Sequence, residues 1–219
     1  MGNKMDKCRP KHDEPLKLLI QGSSSAGKTT IMYRLKTGEV VETFHTTDST
    51  CECIYHGSKQ IALWDVGGRD SSRIFYRFHY FNTDALVFVI DSSERLLFSE
   101  VKEDLELTMS EKELKKCPFV ILANKQDVPG AMTMDEIAEK LDLQNMKAAK
   151  GKKWAIFPTS ALTGEGFSEA LDWITDRKWE NDHEESKQGN GKSKQFSKTD
   201  ADIAFFKKAV LRMRSILLD

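Results

Sequence analysis

Short apolar runs recur along residues 15–180 of the chain and alternate with segments in which apolar residues have helical spacing. The runs lie at residues 16–20, 61–64, 85–90, 119–122 and 154–157. Because most of these runs are apolar at successive positions, they predict strands that are buried on both faces. Strands of that kind are typical of parallel sheets with helices on each side. The pattern therefore predicts an α/β fold with a doubly wound, mostly parallel sheet.

Local signals mark where two of the predicted helices begin and end. Thr133 and Glu136 have the spacing of a capping box, which predicts a helix that begins directly after Thr133. Gly38 follows a helical stretch at residues 29–36 and is the residue type that most often ends a helix.

Outside this body the chain is polar until its last segment. Residues 1–14 form a polar leader, and residues 181–198 have the composition of a flexible linker, with too few apolar residues to offset the entropy of ordering. Residues 199–219 begin with a capping box and predict an amphipathic helix with one apolar stripe. That stripe consists of Ile203, Phe206, Val210, Met213 and Leu217. Its surface suits three alternatives: the body of the same chain, a partner protein or a membrane surface.

Composition narrows the class of protein. Lys and Arg number 33 against 34 Asp and Glu, for a net charge of −1, so no overall positive field favours nucleic acid. Hydrophobic residues make up 39% of the chain and charged residues 31%, as in globular proteins. No apolar run reaches the roughly 18 residues that a membrane span needs, and the leader lacks the apolar core of a secretory signal. The expected location is the cytoplasm, with free thiols.

A glycine-rich segment follows the first predicted strand and leads into a helix. It consists of Gly22, four small residues and then Gly27, Lys28 and Thr29. Backbone N–H groups of such a loop cradle phosphates, the lysine reaches the terminal phosphates and the threonine hydroxyl binds Mg²⁺. A plain turn is the alternative, but the strand–loop–helix context favours phosphate binding. The residues expected to line this site are Ser24, Ser25, Ala26, Gly27, Lys28, Thr29 and Thr30.

Asp65 ends another predicted strand. It precedes Gly67 and Gly68, an arrangement that sets a carboxylate near the metal and the Gly68 N–H near a γ-phosphate.

Residues 124–127, Asn-Lys-Gln-Asp, follow a buried strand at the edge where open α/β sheets bind ligands. The Asp127 carboxylate suits guanine, whose N1–H and 2-amino groups both donate, and the Lys125 stem can lie along the base. Asn124 and Ser160 are expected in the same site, and the Ala161 N–H is expected near the guanine oxygen. A solvated loop is the alternative for the tetrapeptide alone. Four motifs follow in order along the chain, at residues 22–29, 65–68, 124–127 and 159–161, and this order favours a nucleotide site.

In these motifs the chain resembles the Arf/Arl branch of the Ras-like small GTPases, over about residues 16–179. The runs Trp64-Asp65-Val66-Gly67-Gly68 and Leu171-Asp172-Trp173 add to the resemblance. It implies GTP and GDP as ligands with Mg²⁺, and a GTP-dependent conformational switch that acts on protein effectors. It also implies that Thr46 is the switch threonine that binds Mg²⁺ and the γ-phosphate.

The resemblance fails where the family has the glutamine that orients the attacking water. This chain has Arg69 there, and a guanidinium group has no acceptor for a water proton. We therefore expect slow intrinsic GTP hydrolysis. Two alternatives stay open: Arg69 is itself catalytic and stabilises transition-state charge, or it is exposed and its role is supplied elsewhere. A degenerate GTPase that holds nucleotide as the fixed subunit of a larger assembly is the alternative function.

The effector surface also departs from the family. Trp64 keeps one of three aromatic positions, whereas Ser49 and His79 occupy the other two, with Tyr80 adjacent. Aromatic side chains supply much of the energy of interfaces, so partners other than the usual Arf effectors are expected.

The sequence also raises questions of modification and metal binding. Gly2 permits N-myristoylation, and Cys8 offers a second acylation site, so peripheral membrane contact is one alternative. In Arf relatives an N-terminal amphipathic helix covers a groove of the body, and here the helix at 199–219 is the candidate for that role. Cys51 and Cys53 share one face of a strand, where small apolar side chains are favoured over a zinc site.

Overall fold

The computed structural model describes residues 15–41, 43, 49–66 and 73–176. The strands within them are β1 (Leu16–Gly22), β2 (Thr50–His56), β3 (Lys59–Asp65), β4 (Ala85–Asp91), β5 (Phe119–Asn124) and β6 (Trp154–Pro158). The helices are α1 (Lys28–Thr37), α2 (Arg73–Tyr80), α3 (Phe98–Met109), α4 (Met134–Leu141) and α5 (Phe167–Thr175). Two short 3-10 helices lie at Lys112–Leu114 and Lys147–Ala149.

The described strands form one sheet in the order β2-β3-β1-β4-β5-β6. Only the β2–β3 hairpin is antiparallel among these neighbours, and the other four pairs are parallel. The predicted doubly wound, mostly parallel sheet is confirmed. Since parallel strands run in one direction, β1, β3, β4, β5 and β6 all end at the same edge of the sheet.

The core has two layers, one on each face of the sheet. Alternate residues of the central strands point to opposite faces: Leu19 packs in one layer, and Leu18 and Ile20 pack in the other. Helices α3 and α4 contribute Leu105 and Ile137 to the first layer. Helices α1 and α5 cover the second layer. The central strands are therefore buried on both faces, as their continuous apolar runs predict.

The predicted helix boundaries agree with the structure. The Thr133 N–H donates to Glu136 Oε2 at 2.8 Å, and the Glu136 N–H donates to Thr133 Oγ1 at 3.2 Å, which completes the capping box of α4. Gly38 ends α1 with φ of 76°, a left-handed conformation that glycine adopts without steric cost.

Several sequence predictions concern residues outside the described ranges. These are the leader, the linker, the helix at 199–219, and the site residues Thr46, Gly68 and Arg69. No helix in the described ranges has the length and apolar character needed to cross a bilayer. Cys51 and Cys53 both lie exposed on β2, and among described residues no three His, Cys, Asp or Glu side chains are grouped to hold a metal. The domain boundaries stay predictions.

Candidate nucleotide site

The loop between β1 and α1 is shaped by close packing at its two glycines. Gly22 has φ of 138°, and a Cβ there would lie 2.1 Å from the carbonyl oxygen of Val89 on β4. Gly27 has φ of 94°, and a Cβ there would lie 2.6 Å from Asn124 Nδ2. Any larger residue at either position would collide with a neighbouring element. Glycine is therefore required at both positions because the loop packs closely against residues of β4 and β5.

Lys28 holds its ammonium group within this loop. Its Nζ donates to the carbonyl oxygens of Gly22 at 2.9 Å and Ser23 at 2.7 Å. Burial lowers the pKa of Lys28, while Asp65 opposes that shift. A buried cation beside backbone N–H groups is an environment that favours phosphate oxygens. Ser24 and Ser25 lie exposed at the tip of the loop, and Ala26 is buried beneath it.

Thr29 and Asp65 meet at the end of the loop. Thr29 Oγ1 donates to Asp65 Oδ2 at 2.5 Å, and Asp65 is fully buried. Its second oxygen, Oδ1, has no hydrogen-bond partner among the described residues. Burial raises the pKa of Asp65, while Thr29 and Lys28 oppose the shift. A buried carboxylate oxygen without a partner is costly, and a hydrated divalent cation would relieve that cost, so these residues fit Mg²⁺.

Asn124 connects the two halves of the site. Its Nδ2 donates to the Ala26 carbonyl oxygen at 2.8 Å, and its Oδ1 accepts from the Ala161 N–H at 3.0 Å. Asn124 is 1% exposed. Its amide therefore braces the phosphate loop against the turn after β6. The Ala161 N–H has a partner within the chain, and its assignment to the guanine oxygen stays a prediction.

The segment after β5 presents an oriented carboxylate. Asp127 is exposed, and its Oδ1 accepts from Ser160 Oγ at 2.5 Å. Ser160 is itself 1% exposed, and its Oγ accepts from the Thr163 N–H at 3.0 Å. This chain of bonds restrains the Asp127 side chain, and its role toward a base stays a prediction.

Two residues near the site have contacts that local sequence patterns do not signal. Thr30 Oγ1 lies 3.1 Å from Thr43 Oγ1, so a residue expected at the phosphates contacts the segment that follows α1. Asp91, at the end of β4, accepts from Lys125 Nζ at 2.5 Å. The only sequence signal for Asp91 is an acidic residue at the end of a buried strand. Its partner is set by the pairing of β4 with β5.

Around Trp64, the structure places a histidine ring and a lysine ammonium group near the indole ring. The Trp64 and His79 rings lie 5.7 Å apart, and Lys17 Nζ lies 5.6 Å from the centre of the Trp64 ring. Burial, and to a smaller extent Lys17, lowers the pKa of His79 to about 4. Tyr80 is 2% exposed and donates its hydroxyl to Gln21 Oε1 at 3.1 Å, so it supplies no aromatic surface. The exposed aromatic residue next to it is Phe81.

The strand order of the sheet, the phosphate loop at residues 22–29 and the segment at residues 124–127 define this domain as a Ras-like α/β nucleotide-binding fold. The sequence model described as "ADP-ribosylation factor family" matches residues 3–178. The chain belongs to that family, and is of the Arf/Arl type.

Individual relatives agree with this assignment. The chain is 39% identical over 164 residues to ADP-ribosylation factor-like protein 1 of Saccharomyces cerevisiae, which covers 75% of this chain and 88% of the relative. It is 41% identical over 160 residues to ADP-ribosylation factor-like protein 1 of Drosophila melanogaster, with 73% and 87% covered. The solved Arl6 BBS3 small GTPase of Trypanosoma brucei, with bound GppNp, superposes with a TM-score of 0.66 at 27% identity. That superposition covers 80% of this chain and all of the solved one.

Proposed function

We propose that this chain is a guanine-nucleotide-binding switch of the Arf/Arl type, with slow intrinsic GTP hydrolysis. The observation that best supports the proposal is the Asn124 side chain, which bonds the phosphate loop to the turn after β6. Ser160 in that turn donates to the Asp127 carboxylate, so the two ends belong to one bonded site. A phosphate loop alone is common to many nucleotide-binding proteins, whereas the exposed Asp127 carboxylate suits the two donors of guanine. The GppNp-bound relative supports the same ligand class.

Each part of the site has a role in this proposal. The loop N–H groups and Lys28 bind the phosphates, and Asp127 binds the base. Thr29 would hold Mg²⁺, with Asp65 beside it and Thr46 contributed by the switch segment. Bound Mg²⁺ neutralises phosphate charge. Gly68 would donate its N–H to the γ-phosphate, so that the segment after β3 responds to the identity of the nucleotide.

Hydrolysis is the step in which this chain departs from its relatives. Arg69 stands where the family has the water-orienting glutamine, and its guanidinium group donates hydrogen bonds but accepts none. The attacking water therefore lacks its orienting acceptor, and the GTP-bound state is long-lived unless a partner supplies one.

The partners in this proposal are protein effectors or a larger assembly, in the cytoplasm or on the surface of a membrane. Exposed aromatic side chains next in sequence to His79 and Tyr80 support a protein partner, because Phe78 and Phe81 are 57% and 63% exposed. With His79 in place of an aromatic side chain, that partner would differ from the usual Arf effectors.

The test is to follow bound nucleotide in the purified full-length chain over several hours. The protein is loaded with γ-labelled GTP and Mg²⁺, and bound GTP, bound GDP and released phosphate are measured by chromatography. A switch exchanges its nucleotide with excess GDP and slowly converts GTP to GDP. A single nucleotide that neither exchanges nor turns over would overturn the switch and favour the fixed subunit. A failure to bind any guanine nucleotide would overturn both functions.

A further inference from the structure

The ion pair between Asp91 and Lys125 lies at the base end of the site. Asp91 is the last residue of β4, and the adjacent strand β5 pairs with it in register, so that Asp91 lies opposite Asn124. The next residue, Lys125, donates from Nζ to Asp91 Oδ2 at 2.5 Å. The contact thus forms where two parallel strands end, one residue beyond the Asn124 brace.

The Asp91 carboxylate is fixed on both of its oxygens. While Oδ2 accepts from Lys125, Oδ1 accepts from the Ser93 N–H at 2.9 Å and from Ser93 Oγ at 2.6 Å. The Asp91 side chain is 14% exposed and the Lys125 side chain 31%. Burial raises the pKa of Asp91, but the hydrogen bonds from Lys125 and Ser93 outweigh it, and the pKa lies below its ordinary value. The carboxylate therefore stays ionised and in one orientation near neutral pH.

Lys125 combines a constrained backbone with a long, flexible side chain. Its backbone has φ of 67°, in the left-handed region that residues with a Cβ seldom adopt. Its four-carbon stem has many rotamers, and an untethered stem would lose that freedom only when the base binds. A fixed ammonium group at Asp91 removes this cost in advance, because the stem is then already extended from β5 toward β4.

We propose that Asp91 is a positioning residue for the guanine base and acts by holding the Lys125 stem in its binding orientation. This inference rests on the proposed nucleotide function. Since GDP and GTP share the same base and ribose, loss of Asp91 weakens both to the same extent. A residue that acted on the phosphates or on the switch would change their ratio.

The test compares Asp91→Asn with a matched ion-pair control. Arg95 Nη1 and Glu136 Oε1 form an ion pair with a distance of 2.8 Å, and neither residue belongs to the candidate site. Glu136→Gln therefore removes a carboxylate charge without changing Asp91 or Lys125. Release of fluorescent GDP and GTP analogues from full-length protein is measured with Mg²⁺ present. We expect Asp91→Asn to accelerate release of both analogues by about 10-fold, Asp91→Glu to restore part of the loss, and Glu136→Gln to leave release unchanged.

A second variant distinguishes positioning from a general structural role. Lys125→Met keeps the stem and removes the ammonium group, so it should match Asp91→Asn, and the double variant should release nucleotide no faster than either single variant. Additive effects, an altered GDP-to-GTP ratio, or lower stability in urea with unchanged release would overturn the inference. If the parent protein does not bind the analogues, the proposed function fails instead.

Discussion

The base end and the phosphate end of the candidate site are built in different ways. At the base end, side chains bond to one another: Ser160 bonds to Asp127, and Asp91 bonds to Lys125. At the phosphate end, the fully buried Asp65 accepts from Thr29 through Oδ2, but its Oδ1 lacks a partner among the described residues. Lys28 is buried there with only backbone carbonyl oxygens as its hydrogen-bond partners in the described ranges.

This difference separates what folding supplies from what the ligand supplies. The base end is assembled by the chain itself, so a base meets a surface that needs little further ordering. The phosphate end keeps charges in a buried setting where they cost free energy until opposite charges arrive. We therefore expect substitutions at the base end to weaken GDP and GTP alike, and substitutions at the phosphate end to alter the response to Mg²⁺ and to the γ-phosphate.

The largest effect is expected for Asp127→Asn. Loss of the carboxylate leaves the guanine donors poorly paired, and affinity for both GDP and GTP should fall by about 2 to 4 kcal/mol. Calorimetric titration of nucleotide-free protein measures the change. The control is Asp135→Asn, which alters an exposed carboxylate on α4 and should leave affinity unchanged. A loss confined to one of the two nucleotides would argue against a base-end role for Asp127.

Asp65→Asn should separate folding from metal binding. Without metal, the substitution removes a buried charge and should raise the free energy of unfolding by about 1 to 2 kcal/mol. With Mg²⁺ and GDP, the variant should lose most of the stabilisation that Mg²⁺ gives the parent. Urea unfolding with and without a chelator measures both effects, with Glu139→Gln, at an exposed position of α4, as control. A variant that is less stable without metal, or that responds to Mg²⁺ as the parent does, contradicts this assignment.

Arg69→Gln tests the phosphate end by restoring a group that can orient water. Intrinsic GTP hydrolysis should increase by about 10-fold or more. Single-turnover assays with γ-labelled GTP measure the rate, and GDP affinity serves as the internal control because it should not change. An unchanged or lower rate would place the defect around Thr46 or make Arg69 itself catalytic.

The smallest effect is expected for Ser160→Ala at the base end. The substitution removes the hydroxyl that orients Asp127, and affinity for both nucleotides should fall by about 1 kcal/mol, or about 5-fold. Competition binding measures it against Ser110→Ala, which removes an exposed hydroxyl at the end of α3. Affinity equal to that of the control would mean that Asp127 needs no orienting partner.

Local patterns in the sequence predict the strands and helix ends of this domain, but they do not reveal contacts between residues far apart in the chain. Buried strands, the capping box at Thr133 and the stop at Gly38 depend on neighbouring residues, so periodicity and residue type reveal them. The Asp91–Lys125 pair joins residues far apart in the chain, and the register of β4 against β5 decides whether they meet. The sequence shows Tyr80 only as the neighbour of His79, and its inward orientation depends on the position of Gln21.

The most direct test of the account is base selectivity in the full-length protein. Fluorescent GDP is bound in the presence of Mg²⁺, and unlabelled GDP and ADP compete for the site in parallel titrations. If Asp127 accepts from two guanine donors that adenine lacks, as proposed, GDP should displace the probe while ADP at about 100-fold higher concentration should not. Displacement by ADP and GDP at equal concentrations would contradict the assignment of the base end and, with it, the proposed function.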